Sequence, residues 1–307
     1  MRKSYKNFNY KHSLGQNFII DEFLLDDIVK ESGINNSDYV LEIGPGNGAM
    51  TRVLCENSKF VVAIEIDKSL IPLLKSNLKE YKNISIINAD FLNYDFQNIV
   101  NEFNNFNHND KSQNPNDFSS KNDYVNQSQI SDICKSHIKV VANLPYYITS
   151  PIIQNLLQNP YISEMTLMVQ KEVAERIVAT PSNKDYGILT LACNYFSQTE
   201  MLMIVSKDCF FPRPKVDSAV VKFKKHKEFC DLSNNFLLKQ NESYEKLFNL
   251  IKASFAQRRK KLLNSLSNAG YDKLELQKAF IKLNFDENTR AENLSLNDYT
   301  NLSNAIN

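Results

Sequence analysis

Three short segments of this chain carry residue types suited to one task, holding a weakly nucleophilic amine against an electrophile. The first is Asn143-Leu144-Pro145-Tyr146. The exocyclic amine of adenine has its lone pair delocalised into the ring, and no strong base is required to use it. It needs acceptors that draw both hydrogens and leave the nitrogen pyramidal. The side-chain oxygen of Asn143 can be one acceptor and the backbone carbonyl of Leu144 the other. Pro145 has no N–H and stiffens the turn, and Tyr146 offers a flat face on which a base can stack. Catalysis of this kind is positioning and electrostatics. In isolation the tetrapeptide also reads as a plain turn. Its place in the order of segments sets it apart.

The second segment is Leu41-Glu42-Ile43-Gly44-Pro45-Gly46-Asn47-Gly48. Gly44 and Gly46 let a turn pass close to a ligand, and Gly48 opens the next helix. Glu65 follows at about the 20-residue separation of a ribose-binding acid. Three ligands compete for this layout. NAD expects Gly-x-Gly-x-x-Gly, because a helix N-terminus must meet its pyrophosphate. Here the spacing is Gly-x-Gly-x-Gly with Pro45 inside, and Glu42 would oppose a pyrophosphate. A Walker loop needs Gly-Lys-Ser/Thr, which is absent. S-adenosylmethionine carries no phosphate and asks only for a tight turn, so it is the preferred ligand. The third segment is Asn88-Ala89-Asp90, whose Asp90 could accept from the cofactor's adenine amine. An Asp there is also a helix cap before Phe91-Leu92; its company with Gly44 and Glu65 favours the ligand role.

These residues need a scaffold. Tyr39–Ile43, Phe60–Ile64, Ile84–Ile87, Ile138–Ala142 and Met165–Val169 read as strands, alternating with helices over Ala49–Asn57 and Lys68–Tyr81. Alternation of this kind implies parallel βαβ units with right-handed crossovers. The catalytic tetrapeptide then lies at the carboxyl edge of the sheet, where open α/β sheets bind ligands. Residues 101–137 are rich in Asn, Asp, Ser and Gln and read as an expanded surface loop. After Pro214 comes a last strand, Val216–Phe223. From Tyr244 the chain turns helical, with Leu247, Leu250, Ile251, Phe255 and Leu262 at helical spacing, Gly270 as a stop and a second helix over Lys273–Leu283. The expected class is α/β, a Rossmann-like S-adenosylmethionine-dependent methyltransferase sheet over 1–228 with a small α-helical domain over 229–307.

Composition adds limits. The 36 Lys and Arg nearly balance the 35 Asp and Glu, so net charge does not announce a nucleic-acid binder. Local clusters decide instead: Lys11 and its neighbours, Lys222–Lys227 and Arg258–Lys261, each of which also reads as solvated surface charge. The five cysteines form no CxxC pair and the four histidines join no ligand pattern, so no metal site is expected and a reducing cytoplasm is the simpler setting. No apolar run is long enough for a membrane span.

The segments Lys11–Phe18, Leu41–Gly48, Asn88–Asp90, Asn143–Tyr146 and Phe210–Ser218 occur in order over nearly the whole chain outside 101–137. In this the chain resembles the KsgA-type ribosomal RNA adenine dimethyltransferases, a family related to the erythromycin-resistance methylases. The resemblance implies a cofactor pocket drawn from Gln16, Asn17, Ile19, Gly44, Gly46, Glu65, Ile66, Asp90, Phe91 and Asn143. It implies a reacting end of Asn143, Leu144, Pro145, Tyr146 and Phe210, with Tyr146 and Phe210 sandwiching the target adenine. Without the resemblance, Phe210 reads as core. It implies dimethylation at N6 of two adjacent adenosines near the 3′ end of small-subunit ribosomal RNA, by a monomer acting on a pre-ribosomal particle. A base must leave its stack to reach such a pocket. Phosphate contacts would come from Lys11, Arg213, Lys215, Arg258, Arg259, Lys260 and Lys261.

Other readings stand beside this one. A dehydrogenase is disfavoured by the glycine spacing. A DNA adenine methylase usually carries a larger recognition domain. A non-catalytic assembly or transcription factor on the same fold would not need Glu65, Asp90 and Asn143–Tyr146 intact. The nearest rival is a methylase of large-subunit ribosomal RNA conferring macrolide resistance.

Overall fold

Strands β2 (Tyr39–Ile43) and β3 (Phe60–Glu65) are apolar almost throughout and buried at every position, as strands covered on both faces must be. The computed structural model describes residues 17–111, 138–230 and 234–306. With β4 (Ile84–Asn88), β5 (Ile138–Asn143), β6 (Ile162–Gln170), β7 (Ser197–Val205) and β9 (Ser218–Lys225), these strands form a seven-stranded sheet in the order β4-β3-β2-β5-β6-β9-β7. The pairs from β4 through β6 are parallel, and β9 runs antiparallel to β6. From β2 the chain proceeds outward through β3 to β4, then returns to the other side of β2 as β5. Strand order therefore reverses between β2 and β5, and ligands bind at the carboxyl ends of strands at such a switch point. A two-stranded ribbon, β1 (Phe18–Ile19) with β8 (Phe210–Phe211), pairs Phe18 with Phe211 and Ile19 with Phe210.

Helices α1 (Glu22–Ser32), α2 (Ala49–Asn57), α3 (Ile71–Asn77), α4 (Phe96–Lys111) and α5 (Thr149–Gln158) belong to the sheet unit. Helix α4 corrects the sequence reading. The segment expected to be loop from residue 101 is helical to Lys111, and its Phe103 is fully buried. Phe103 meets Tyr39 edge-on and Phe106 stacks on Phe60 at 4.2 Å. Two aromatic anchors outweigh the poor helix propensity of the surrounding Asn residues. The rest of that insert, 112–137, lies outside the described residues.

Contacts divide the chain into two compact units. The first holds the described residues up to Lys171 together with Glu200–Cys230; the second holds Glu172–Thr199 together with the described residues from 234 on. The expected division at 228/229 does not contain this exchange of a segment. The second unit comprises most of α6 (Lys171–Ile177), α7 (Ile188–Phe196), α8 (Asn234–Phe255), α9 (Leu262–Asn268), α10 (Lys273–Lys282) and α11 (Leu296–Ala305). Its core joins Tyr186, Leu191, Ile251, Leu266, Phe280 and Tyr299. The two buried tyrosines satisfy their hydroxyls on backbone, Tyr186 donating to the Leu294 carbonyl at 3.0 Å and Tyr299 to that of Ala291 at 2.9 Å. Leu262, read as part of one run with Phe255, instead opens α9, because the chain turns through residues 256–261. Among the described residues no helix is long and apolar enough to cross a membrane.

Candidate active site

The turn after β2 is closed by the Gly44 N–H on the Ile64 carbonyl at 2.9 Å, which ties β2 to the end of β3. Gly44 and Gly46 take φ of 71° and 61°, a region open to glycine without penalty. At Gly46 the reason is also steric: a β-carbon would sit 2.5 Å from the Phe18 ring. The Gly46 N–H donates to Glu65 Oε2 at 3.0 Å, and the Asp67 N–H to Oε1 at 2.8 Å. Glu65, only 4 % exposed, is thus fixed by backbone donors at both oxygens. Burial raises its pKa above the ordinary carboxylate value and the charge of Asp67 adds to this, while the N–H donors of Asp67, Gly46 and Ile66 pull it down. The N–H of Ala89 and the side-chain amide of Asn88 both donate to the Glu65 carbonyl, which holds β4 in register beside it.

At the end of β5, Asn143 donates its side-chain N–H to the Asn17 carbonyl at 3.0 Å. That bond fixes the amide and keeps its oxygen available as an acceptor. The Leu144 N–H is held by the Met168 carbonyl at 3.0 Å, and Leu144 itself is buried. The Pro145 carbonyl accepts from the Thr149 hydroxyl at 3.0 Å and from the Ile148 N–H at 3.2 Å. The half-buried Tyr146 shares a 2.7 Å hydrogen bond with Ser218 Oγ on β9, and burial raises its pKa. Sequence reasoning does not single out Ser218, although it closes the Phe210–Ser218 segment.

These groups line one cleft of about 730 Å³, its open mouth included. Asn17, Ile19, Gly44, Gly46, Glu65 and Ile66 face it from the cofactor set, and Asn143–Tyr146 from the reacting set. Glu42 and Leu70 line it as well. Three expected residues stand differently. Asp90 caps the turn that follows it, accepting from the Leu92 N–H at 3.1 Å and from the Asn93 amide at 2.7 Å, and it does not line this cleft. Phe91 is buried beneath that turn. Phe210 is 2 % exposed and packs with Ile19, Leu25 and Val205, whereas Phe211 is 38 % exposed. Alternation along β8 turns Phe210 inward, so the sandwich of a base between Tyr146 and Phe210 is not what this conformation presents. Tyr147, which sequence reasoning passes over, is 52 % exposed and close enough to Asp90 and Glu65 for their charges to raise its pKa, behind the larger effect of its own partial burial. Only its adjacency to Tyr146 marks it in the sequence.

Among the basic residues, Arg213 is paired with Asp208 at 2.7 Å, and Lys215 is exposed. Arg258 donates to the carbonyls of Lys184 at 2.9 Å and Tyr186 at 3.1 Å, while Arg259, Lys260 and Lys261 are exposed. Gln16 and Lys11 lie outside the described residues. Among the described residues no group of three or more His, Cys, Asp or Glu is placed to hold a metal ion.

A Gly turn, a fixed acid after the next strand and an Asn-Leu-Pro-Tyr turn thus meet on one cleft. Comparison with known proteins decides the family. A profile of the family described as ribosomal RNA adenine dimethylase matches residues 7–307. The chain belongs to that family. A ribosomal RNA small subunit methyltransferase A of Clostridium acetobutylicum is 38 % identical over 302 residues, 98 % of this chain and 95 % of the relative. One of Clostridium botulinum is 40 % identical over 300 residues, 97 % of this chain and 94 % of the relative. Among solved structures, a dimethyladenosine transferase from Plasmodium falciparum superposes with a TM-score of 0.67 at 25 % identity, covering 93 % of this chain and 95 % of that one. The fold is also that of the 23S rRNA methyltransferase ErmE, at a TM-score of 0.62 and 22 % identity, covering 94 % of this chain and 99 % of that one. As a ribosomal RNA adenine dimethylase, the chain is a methyltransferase enzyme, and the two Clostridium relatives carry small-subunit names.

Proposed function

We propose that this adenine dimethylase moves methyl groups from S-adenosylmethionine to N6 of two adjacent adenosines near the 3′ end of small-subunit ribosomal RNA, as a cytoplasmic monomer acting on a pre-ribosomal particle. The observation that carries the reading is the convergence of the Gly44–Gly46 turn, Glu65 and Asn143 on one cleft. The residues fit a phosphate-free cofactor. At Gly44 the nearest atoms to a would-be β-carbon are 3.9 Å away or more, which leaves the turn's backbone open to a ligand, and Glu65, fixed by the Gly46 and Asp67 N–H groups, keeps lone pairs for two ribose hydroxyls. The acidic lining, Glu42 with Glu65, favours a cationic ligand over a pyrophosphate. When bound, the cofactor supplies a methyl group on a sulfonium.

The chain's own residues do the rest. Asn143, fixed by Asn17, accepts one hydrogen of the target amine at its side-chain oxygen, and the Leu144 carbonyl accepts the other. Tyr146, tethered to Ser218, provides the face against which the extruded base rests. Stacking there offsets part of the cost of unstacking in the RNA. The small-subunit names of the relatives favour this substrate over that of the macrolide-resistance methylases.

Tritium transfer from labelled cofactor to under-methylated small subunits tests the reading. Asn143→Ala and Glu65→Ala are each expected to lose nearly all activity, a drop of about a hundredfold or more. Full activity in Asn143→Ala would refute the amine-positioning role. Transfer to large subunits instead would refute the substrate.

A further inference from the structure

Glu42 is the unexplained group in the cleft. It sits on β2, 1 % exposed, and its Oε2 has no hydrogen-bond partner. The Thr51 hydroxyl on α2 lies beside it, yet it too closes no hydrogen bond of good geometry. An isolated buried carboxylate is among the most expensive groups a protein can hold. A protonated one is cheaper: burial pushes the Glu42 carboxyl up to about 8, the Thr51 hydroxyl beside it pulling it down in part and the charge of Glu65 adding to the rise.

We infer that Glu42 is a proton-linked counter-charge for the cofactor: neutral in the free enzyme, it ionises when a cationic ligand enters the cleft and releases its proton to solvent. This rests on the cofactor reading above. The two acids of the cleft are not equivalent. Glu65 accepts backbone N–H groups at both oxygens, while Glu42 Oε2 accepts none. In the free enzyme the pair therefore settles its single negative charge on Glu65 and its proton on Glu42. S-adenosylmethionine at neutral pH carries a sulfonium, an ammonium and a carboxylate, a net charge of +1. A cation in a poorly solvated cleft favours a second carboxylate, and Glu42 is the acid with a proton to give.

Few other groups can answer for that proton. Among the described residues that line the cleft, only Glu42, Glu65 and Tyr146 carry titratable side chains. Cys55, which faces Glu42 from α2, is pushed up to about 12, first by burial and then by the Glu42 charge. Asp67 faces Glu65 and acts on it rather than on Glu42. Tyr146 stays protonated because burial raises it further.

Calorimetric titration of the intact protein with S-adenosylmethionine, in buffers of different ionisation enthalpy, counts the protons released. At pH 7 the wild type should release close to one proton per site, falling toward none by about pH 9.5. Its affinity should rise with pH by up to about tenfold per unit below the Glu42 transition. Glu42→Gln, a near-isostere of the protonated acid, should release none and bind with the wild type's low-pH affinity at every pH. Wild-type binding without proton release overturns the inference, and so does an unchanged release in Glu42→Gln. Should that variant not fold, the wild-type proton count and pH slope decide alone. Failure of the wild type to bind at any pH would count instead against the cofactor reading.

Discussion

Tyr146 joins packing to chemistry in one side chain. Its ring lines the cleft, and its hydroxyl is tied to Ser218 at 2.7 Å. Tyr146→Phe keeps the ring and loses the tether. A net hydrogen bond is worth about 1 kcal/mol, so kcat/KM should fall by about fivefold. Tyr146→Ala removes the stacking face and should cost about a hundredfold in methyl transfer to small subunits. Equal losses in the two variants would show that the hydroxyl, not the face, matters. Glu42 makes a second prediction at this scale, independent of any ligand. Its native pKa lies above its unfolded value, so the native state binds more protons and stability must fall as pH rises. The window runs from about the ordinary carboxylate value of 4.5 to about 8. Denaturant unfolding of the wild type should lose stability across it, on the order of 5 kcal/mol at most, and Glu42→Gln should be markedly flatter. Positions are legible in sequence where a motif at the end of a strand fixes them, as with Glu65 and Asn143, which line one cleft. They are not legible for Phe210, whose direction depends on the phase of a two-residue strand.

The element that makes the site is the β2–α2 turn, which holds the Phe18 ring on one side and the Glu65 carboxylate on the other. Gly46→Ala puts a β-carbon 2.5 Å from that ring and demands φ of 61° from an L-residue. Strain of that kind costs about 1–3 kcal/mol, and relief requires Phe18 or the turn to move. We expect cofactor affinity to fall at least tenfold in calorimetric binding, with a modest loss of Tm. Unchanged affinity would mean that the turn does not shape the pocket. Fold legibility also follows the elements. Strands β2, β3, β5 and β6 announce themselves as apolar runs because both faces are covered, and the partly exposed edge strand β4 by its isoleucines. Strand β7 alternates buried and exposed positions at the sheet's edge, and Glu200 and Ile204 face outward. Its apolar run, Met201–Val205, fills only the second half of the strand behind the polar Ser197–Glu200, and no strand is read there. Strands β1 and β8 are two residues each, too short for any period. Helix α4 is hidden by its Asn content, and Phe103 and Phe106 are the signal available.

Taken over the whole chain, charge is balanced, so RNA affinity must come from local clusters. Four consecutive basic residues, Arg258–Lys261, look alike in sequence but not in structure. Arg258 spends its guanidinium on the carbonyls of Lys184 and Tyr186, and lies 6.0 Å from the Phe255 ring. It stitches the loop before α7 to the end of α8 inside the helical unit. Arg259, Lys260 and Lys261 are exposed, and cations placed there exchange counterions with phosphate. The two classes should separate in experiment. Arg258→Ala should lower stability by about 1 kcal/mol, a few degrees in Tm. Joint replacement of Arg259, Lys260 and Lys261 by Ala should leave Tm unchanged. It should weaken binding to small-subunit RNA and reduce the dependence of log K on log salt by about 1 for each phosphate no longer neutralised. If instead the triple variant binds with an unchanged salt slope, the phosphate-binding face lies elsewhere, and Lys215, exposed on the sheet unit, is the next residue to replace.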